Sequence, residues 1–163
     1  MIILVGPAGA GKSTFAARHF KQTEIISSDR CRAMVCDDES DQSVNGAAFG
    51  LAHHITRLRL ALGRLAVIDA TNLETQARRR LLRIANAAET PAVAIVFDVP
   101  IEKCLERNLG RSERVVNEDV VKVQSEQFKR ALARIHREGF TSIFILGENN
   151  LNDVSIVRMK LIR

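Results

Sequence analysis

The chain has no tryptophan and no tyrosine; seven phenylalanines are its whole aromatic complement. That excludes a nucleic-acid platform built from stacked aromatics. If nucleic acid is a partner, phosphate contacts dominate and sequence preference is weak. Cysteine is scarce as well. Cys31, Cys36 and Cys104 make an odd number, and no second pair or histidine cluster completes a zinc site around the first two. Reduced structural thiols are the reading. The four histidines, His19, His53, His54 and His136, have no metal-ligand spacing and are assigned to helix surfaces or packing. No apolar run is long enough to span a bilayer. The first residues lack the basic segment of a secretion signal, so a cytoplasmic location is expected. No Pro/Gly/Ser-rich linker, internal repeat or low-complexity tract divides the 163 residues, which read as one domain, 1–163, with a real core.

What the sequence does have begins at once. Met1-Ile2-Ile3-Leu4-Val5 is apolar and β-branched. Gly6-Pro7-Ala8-Gly9-Ala10-Gly11-Lys12-Ser13-Thr14 follows, and then a helical stretch to Phe20. The pattern G-x-x-x-x-G-K-S between a strand and a helix is the phosphate-binding loop, Walker A. Glycine lets the backbone approach an anion closely. The loop N–H groups of Gly6, Gly9, Ala10, Gly11 and Thr14 and the helix N-terminus point at the same anion. Lys12 adds a point charge for the β- and γ-phosphates, and the Ser13 hydroxyl suits Mg²⁺. A nucleoside triphosphate is the expected ligand. The net charge of +5 and a pI near 9.6 favour anionic partners without naming one.

Further strands are read at Glu24–Ser27, Leu65–Asp69, Ala92–Phe97 and Ser142–Leu146. Helices are read at about 30–35, Val44–Leu62, Glu74–Ala88, from Ile101, and at Glu118–Glu138 with Asn117 as N-cap. A last amphipathic piece, helix or edge strand, lies in Leu151–Ile162. Phe49, Leu51, Ile55, Leu58 and Leu62 give the 44–62 helix its apolar stripe. Cys36–Ser43 is acidic and reads as a solvated loop. Each crossover is long enough for a right-handed βαβ unit. The fold class is therefore α/β, a five-stranded parallel sheet with helices on both faces.

Asp29 stands at the tip of the second strand, next to the phosphate loop if the first two strands are neighbours, and Arg32 is one helical turn on. A carboxylate there can deprotonate an attacking hydroxyl, and an arginine can hold an anionic acceptor. Equally, Asp29 could cap the next helix and Arg32 be a surface charge. Asp69 ends the third strand in a Walker-B-like position, suited to hold Mg²⁺ or anchor Ser13. Thr71-Asn72 beyond it turns the chain. Arg107, Arg111 and Arg114 form an arginine-bearing segment after the fourth strand, within about 102–117. It reads as a lid over the phosphates or as a solvated helix face. Arg78, Arg79, Arg80 and Arg83 are assigned to a solvated face.

The strings G-P-A-G-A-G-K-S-T-F-A at 6–16, S-S-D-R-C-R at 27–32, C-D-D-E-S-D-Q-S at 36–43, V-I-D-A-T-N at 67–72, F-D-V-P at 97–100 and E-R-N-x-x-R at 106–111 resemble one family over nearly the whole chain. It is the 5′-OH polynucleotide kinase domain with the P-loop kinase fold, as in bacterial polynucleotide kinase–phosphatase and, with the same layout, the phage-type enzyme. The resemblance implies an ATP-dependent 5′ kinase acting on DNA or RNA. Lys12 and Ser13 would hold ATP and Mg²⁺, and Asp29 would be the general base. Arg32 would touch the acceptor backbone and Arg111 would be the lid arginine; Arg107 and Arg114 match less firmly. Unlike the bacterial enzyme, the chain carries no phosphatase or adenylyltransferase module. The expectation is a free-standing kinase or one module of a larger enzyme, with other end-healing activities on separate chains. The alternatives are a P-loop kinase of a small metabolite, such as a sugar acid or nucleoside, and a non-catalytic nucleotide-dependent binding module.

Overall fold

The structure, a computed structural model, describes residues 1–110 and 115–157. Its strands are β1 (Ile2–Val5), β2 (Ile25–Ser27), β3 (Val67–Asp69), β4 (Val93–Asp98) and β5 (Ser142–Gly147). Its helices are α1 (Lys12–His19), α2 (Ser28–Cys36), α3 (Asn45–Ala61), α4 (Thr75–Ala87), α5 (Ile101–Leu109) and α6 (Glu118–Arg134). The five strands are parallel, in the order β2-β3-β1-β4-β5. The α/β fold expected from the strand–helix alternation is present, with boundaries within a few residues of those read from the sequence.

Strand β1 sits in the middle, where a parallel sheet buries both faces. Ile3, Leu4 and Val5 are fully buried. Alternate side chains feed two cores. Ile3 and Val5 pack with Cys31, Ala52, Leu81 and Phe128, on the α2, α3, α4 and α6 face. Leu4 packs with Phe15, Phe97 and Cys104, on the α1 and α5 face. The chain thus leaves the adjacent strands β1 and β3 toward opposite faces. Between their carboxyl ends opens the crevice where α/β sheets bind ligands.

Four expectations need correction. β2 pairs with β3 and not with β1, so Asp69, not Asp29, ends the strand beside the glycine-rich loop. Helix α3 packs Leu51 and Ile55 of its expected stripe against the core but leaves the stripe's last two leucines in solvent. Leu58 is 53% and Leu62 75% exposed, while Ala48, Ala52, Thr56 and Leu60 are buried. Small side chains let α3 lie close to its neighbours, and Thr56 satisfies its buried hydroxyl by donating to Ala52 O at 2.7 Å. Residues 148–157 form turns and irregular chain rather than a helix or strand; Leu151 is buried among them, and the rest of the expected last element lies outside the described residues.

The fourth correction is Arg78, which is not on a solvated face. It is fully buried. Its Nε donates to Glu138 Oε2 at 2.7 Å and its Nη2 to Glu138 Oε1 at 2.5 Å. Its Nη1 donates to the carbonyls of Asn72 and Leu73 at 2.8 and 2.7 Å, and Nη2 also reaches Thr75 Oγ1 at 3.3 Å. All five guanidinium donors are therefore satisfied, which is the condition for burying such a charge. The network ties the turn after α6 to the loop after β3. Replacing Arg78 with methionine strands the Glu138 carboxylate. A loss of about 3–5 kcal/mol is expected by chemical denaturation, against under about 0.5 kcal/mol for Arg79→Ala on the exposed side of α4.

Candidate functional site

The glycine-rich loop turns between β1 and α1 with Gly9 at φ +81° and Gly11 at φ +95°. A Cβ on Gly9 would stand 2.0 Å from the Cys104 carbonyl oxygen of α5. Only glycine allows this backbone to fold against that helix. The loop is also held from two other sides. Gly6 N–H donates to Thr71 O at 3.0 Å, and Ala8 N–H donates to the Gln124 side chain of α6 at 2.8 Å. Lys12 is buried and its ammonium donates to Pro7 O at 2.7 Å, across the mouth of the loop. Ser13 and Thr14 are exposed in the first turn of α1. Burial pushes the Cys104 thiol up, against the opposing charges of Lys12 and Arg107. Cys31 is buried too, and its thiol is likewise pushed up by burial, against Arg30 and Arg32. Both are structural, as the cysteine spacing suggested.

Asp69 is buried at the end of β3. Pairing of Ser27 with Asp69 brings the start of α2 beside it. The helix cap there is Ser27, whose hydroxyl accepts from Arg30 N–H at 3.4 Å. Asp29 is therefore not the cap residue. It sits in the first turn, where a carboxylate complements the helix dipole, and it accepts from the Ser28 hydroxyl at 3.4 Å and from Arg32 Nη2. Arg32 is not a surface charge either: its side chain is 5% exposed, against 39% for Asp29. Its Nε donates to Glu39 O at 2.6 Å and its Nη1 to Asn45 Oδ1 at 2.9 Å. One guanidinium thus fastens the acidic 36–43 loop and the start of α3 to Asp29. Two of its five N–H donors remain for an anion.

These side chains converge. Lys12, Ser13, Asp29, Arg32 and Asp69 all line one cleft of about 1040 Å³ between the sheet's carboxyl edge, α3, α4 and the start of α6. A smaller pocket of about 220 Å³ lies on the opposite side of the loop, against Gly11, Thr14, Phe15, Arg18, Arg107, Leu151 and Asn152. Arg107 therefore faces α1 and the loop rather than the large cleft, with Glu148 3.9 Å away. Arg111 and Arg114 lie outside the described residues.

Three further residues carry the geometry and were not singled out by motif. Asn72, at φ +49°, donates to Leu4 O at 2.7 Å and locks the loop after β3 onto β1. Gln124 braces the phosphate loop. Asn108, 1% exposed, donates to Val116 O at 2.6 Å and accepts from Val116 N–H at 3.0 Å. That doubly bonded clamp joins the two ends of the arginine-bearing segment. Two of them stand in quoted strings, Asn72 in V-I-D-A-T-N, where it reads as a simple turn residue, and Asn108 in E-R-N-x-x-R, where the arginines drew the reading.

With the site in view, known proteins can be set beside it. Residues 1–137 match the AAA domain family. The chain belongs to that family. A L-seryl-tRNA(Sec) kinase from Methanococcus maripaludis is 27% identical over 78% of this chain and 52% of its own length. The transcription factor bHLH140 of Arabidopsis thaliana is 27% identical over 88% of this chain but 15% of its own. The chain thus spans about half, or much less, of these curated relatives. Among solved structures, the Pnkp1/Rnl/Hen1 RNA repair complex has a chain that aligns with a TM-score of 0.71 and 22% identity, over 82% of this chain and 45% of that one. Kti12 from Chaetomium thermophilum in complex with ADP-AlF3 aligns with a TM-score of 0.62 and 18% identity, over 94% of each. The fold is that of the P-loop kinases, as the resemblance implied. No described helix is long and apolar enough to cross a membrane.

Gly9→Ala forces a Cβ into the Cys104 backbone at a positive φ. Nucleotide at a hundred times its Kd should stabilise the wild-type protein by about 2.7 kcal/mol. In the variant that gain should vanish, read as the loss of the Tm shift on adding Mg·ATP.

Proposed function

We propose that the chain is an ATP-dependent kinase that transfers the γ-phosphate to the 5′-OH end of a polynucleotide. The observation that carries this reading is the convergence of Lys12, Ser13, Asp29, Arg32 and Asp69 on one open cleft. The glycine-rich loop and the N-terminus of α1 take the donor's phosphates through the backbone N–H groups of Gly9, Gly11, Ser13 and Thr14 and the Lys12 ammonium, those of Gly6, Ala8 and Ala10 being bonded within the protein. The small pocket beside Gly11 and Arg107 takes the donor's nucleoside end. Kti12, with the same fold, was solved with ADP-AlF3, and one of the two relatives at 27% identity is a tRNA kinase by name.

Magnesium fits the residues present. Ser13 offers an exposed hydroxyl at the loop and Asp69 a carboxylate at the end of β3, both lining the cleft. Hard oxygen donors of this kind, few in number, suit Mg²⁺, which keeps several waters and leans on substrate phosphates. Among the described residues there is no cluster of three or more His, Cys, Asp or Glu of the kind a protein-only site needs. When bound, the ion offsets charge on the β- and γ-phosphates.

Asp29 acts as general base. Its carboxylate takes the proton of the 5′ hydroxyl as that oxygen bonds to the γ-phosphorus and the bond to the β-phosphate oxygen breaks, releasing ADP. Arg32 holds Asp29 in place and directs its remaining donors at the acceptor's phosphate. The segment 102–117, pinned at its base by Asn108 and Val116, serves as the lid. Arg111 would sit on the donor phosphates, flanked by Arg107 and Arg114. The product is a 5′-phosphorylated end of DNA or RNA, the chemistry of end healing, with other end-healing and sealing enzymes as partners. The family resemblance and the RNA-repair neighbour support the polynucleotide over a small metabolite.

The test supplies γ-labelled ATP with 5′-OH oligonucleotides and a panel of sugar acids and nucleosides. Label on an oligonucleotide is expected; label on a metabolite alone overturns the reading. Asp29→Ala should lose about 10²–10⁴ in kcat with the nucleotide Kd kept. Full activity in that variant would remove Asp29 from the base's role.

A further inference from the structure

The four arginines of α4 do not behave alike. Arg78 is consumed by its buried network, and Arg83 turns back to Arg79 O at 3.4 Å. Arg80 instead lines the large cleft. It has no hydrogen bond or ion pair among the described residues. Facing it across the cleft is α3, whose residues Asn45, Phe49, Ala52, His53 and Thr56 line the wall on successive turns. Phe49 and His53 stack loosely, with ring centroids 6.4 Å apart.

The electrostatics at this end are one-sided. His53 is half-buried, and burial together with the charges of Arg57 and Arg80 holds its pKa below the usual histidine range. No carboxylate is among the groups acting on it. The acid on this wall is Glu74, at the opposite end of α4's first turns, six residues before Arg80. Arg80, beside an imidazole on the same cleft and with no ion-pair partner among the described residues, forms a place for an anion, while the cleft's carboxylates, Asp29, Asp69 and Glu74, stand nearer the phosphate loop and the N-terminal ends of α2 and α4.

Its position decides which anion. Arg32 is fastened to Asn45 at the first residue of α3. His53 lies eight residues further, about 12 Å along the axis at 1.5 Å per residue. A stacked strand rising about 3.4 Å per nucleotide covers that in roughly three to four nucleotides, and an extended strand in fewer. A metabolite small enough to sit between Asp29 and the phosphate loop does not reach.

We infer that Arg80 and His53 form a second phosphate subsite, which binds the acceptor strand a few nucleotides downstream of the 5′ hydroxyl. The inference rests on the polynucleotide reading above and sharpens it. The acceptor is gripped at two separated points, Arg32 near the reacting end and Arg80 with His53 far from it. The grip reads phosphates and not bases, so it adds affinity with length and little sequence preference.

The experiment measures kcat/KM with γ-labelled ATP for a 5′-OH nucleoside 3′-phosphate, a dinucleotide and a hexanucleotide, for wild type, Arg80→Gln and His53→Gln. Arg80 is exposed on its helix, so its replacement leaves the fold intact; circular dichroism and Tm check this for both variants. In wild type the hexanucleotide should exceed the mononucleotide by about tenfold or more through KM, the scale of one charge-assisted contact. Arg80→Gln should erase most of that ratio and lower the slope of log KM against log salt by about one. His53→Gln should reduce the ratio part-way. If all three acceptors are labelled with equal kcat/KM, or if Arg80→Gln leaves the length dependence and salt slope unchanged, the subsite is refuted while the kinase reading stands. If no nucleotide acceptor of any length is labelled while the metabolite panel above is, the polynucleotide reading itself falls and the subsite with it.

Discussion

Gly9 presses against the carbonyl of Cys104, and much of the architecture depends on that contact. A loop that must bare its N–H groups to an anion has no side chains of its own to hold its shape. Its shape is imposed from outside: by the α5 backbone at Gly9, by Thr71 O at Gly6 and by Gln124 at Ala8. The first and last of those props come from the β4–β5 crossover and the second from the β3–β4 crossover, so the shape of the loop depends on how two later crossovers pack. Its rigidity, and hence any preorganised phosphate site, is a tertiary property written around a local motif.

Two arginines do for the rest of the site what Cys104 does for the loop. Arg78, with all five donors engaged, fixes the segment after β3, and Asn72 carries that fixation onto β1. Arg32 fixes the start of α2 against the acidic loop and α3. Buried guanidiniums suit this work because their donors are planar and divergent and reach several backbone carbonyls at once. The consequence is a cleft whose two walls are held independently, one through Arg78 and one through Arg32.

The parallel sheet, its strands and most helix boundaries were legible in the sequence, because burial on both faces writes continuous apolar runs such as Ala92–Phe97 and periodic faces such as that of α6. The phosphate loop was legible because close approach to an anion leaves few residue choices. Strand order was not, and so neither was the neighbour of β1: pairing partners leave no mark on a strand that is apolar throughout. Arg78, Arg79, Arg80 and Arg83 were indistinguishable as a run. Three different fates, buried, cleft-facing and exposed, follow from rotations of 100° per residue against neighbours that the run does not encode. The large residues of α3 misled for a related reason. Close helix packing prefers alanine and threonine at the seam, which pushes leucines such as Leu58 and Leu62 outward.

The glycines, Lys12 and Ser13 by themselves determined that a phosphate-binding loop stands at the carboxyl end of β1, since the backbone geometry required there is available to almost no other sequence. Only the tertiary structure decided that Asp29 and Arg32 reach the same cleft although β3 stands between their strand and β1. It alone decided that Ser27 takes the capping role from Asp29, and that Arg80 and His53 line one cleft from different helices. Contacts of that kind join residues tens of positions apart. They depend on strand order and helix rotation, which no local pattern along the chain records.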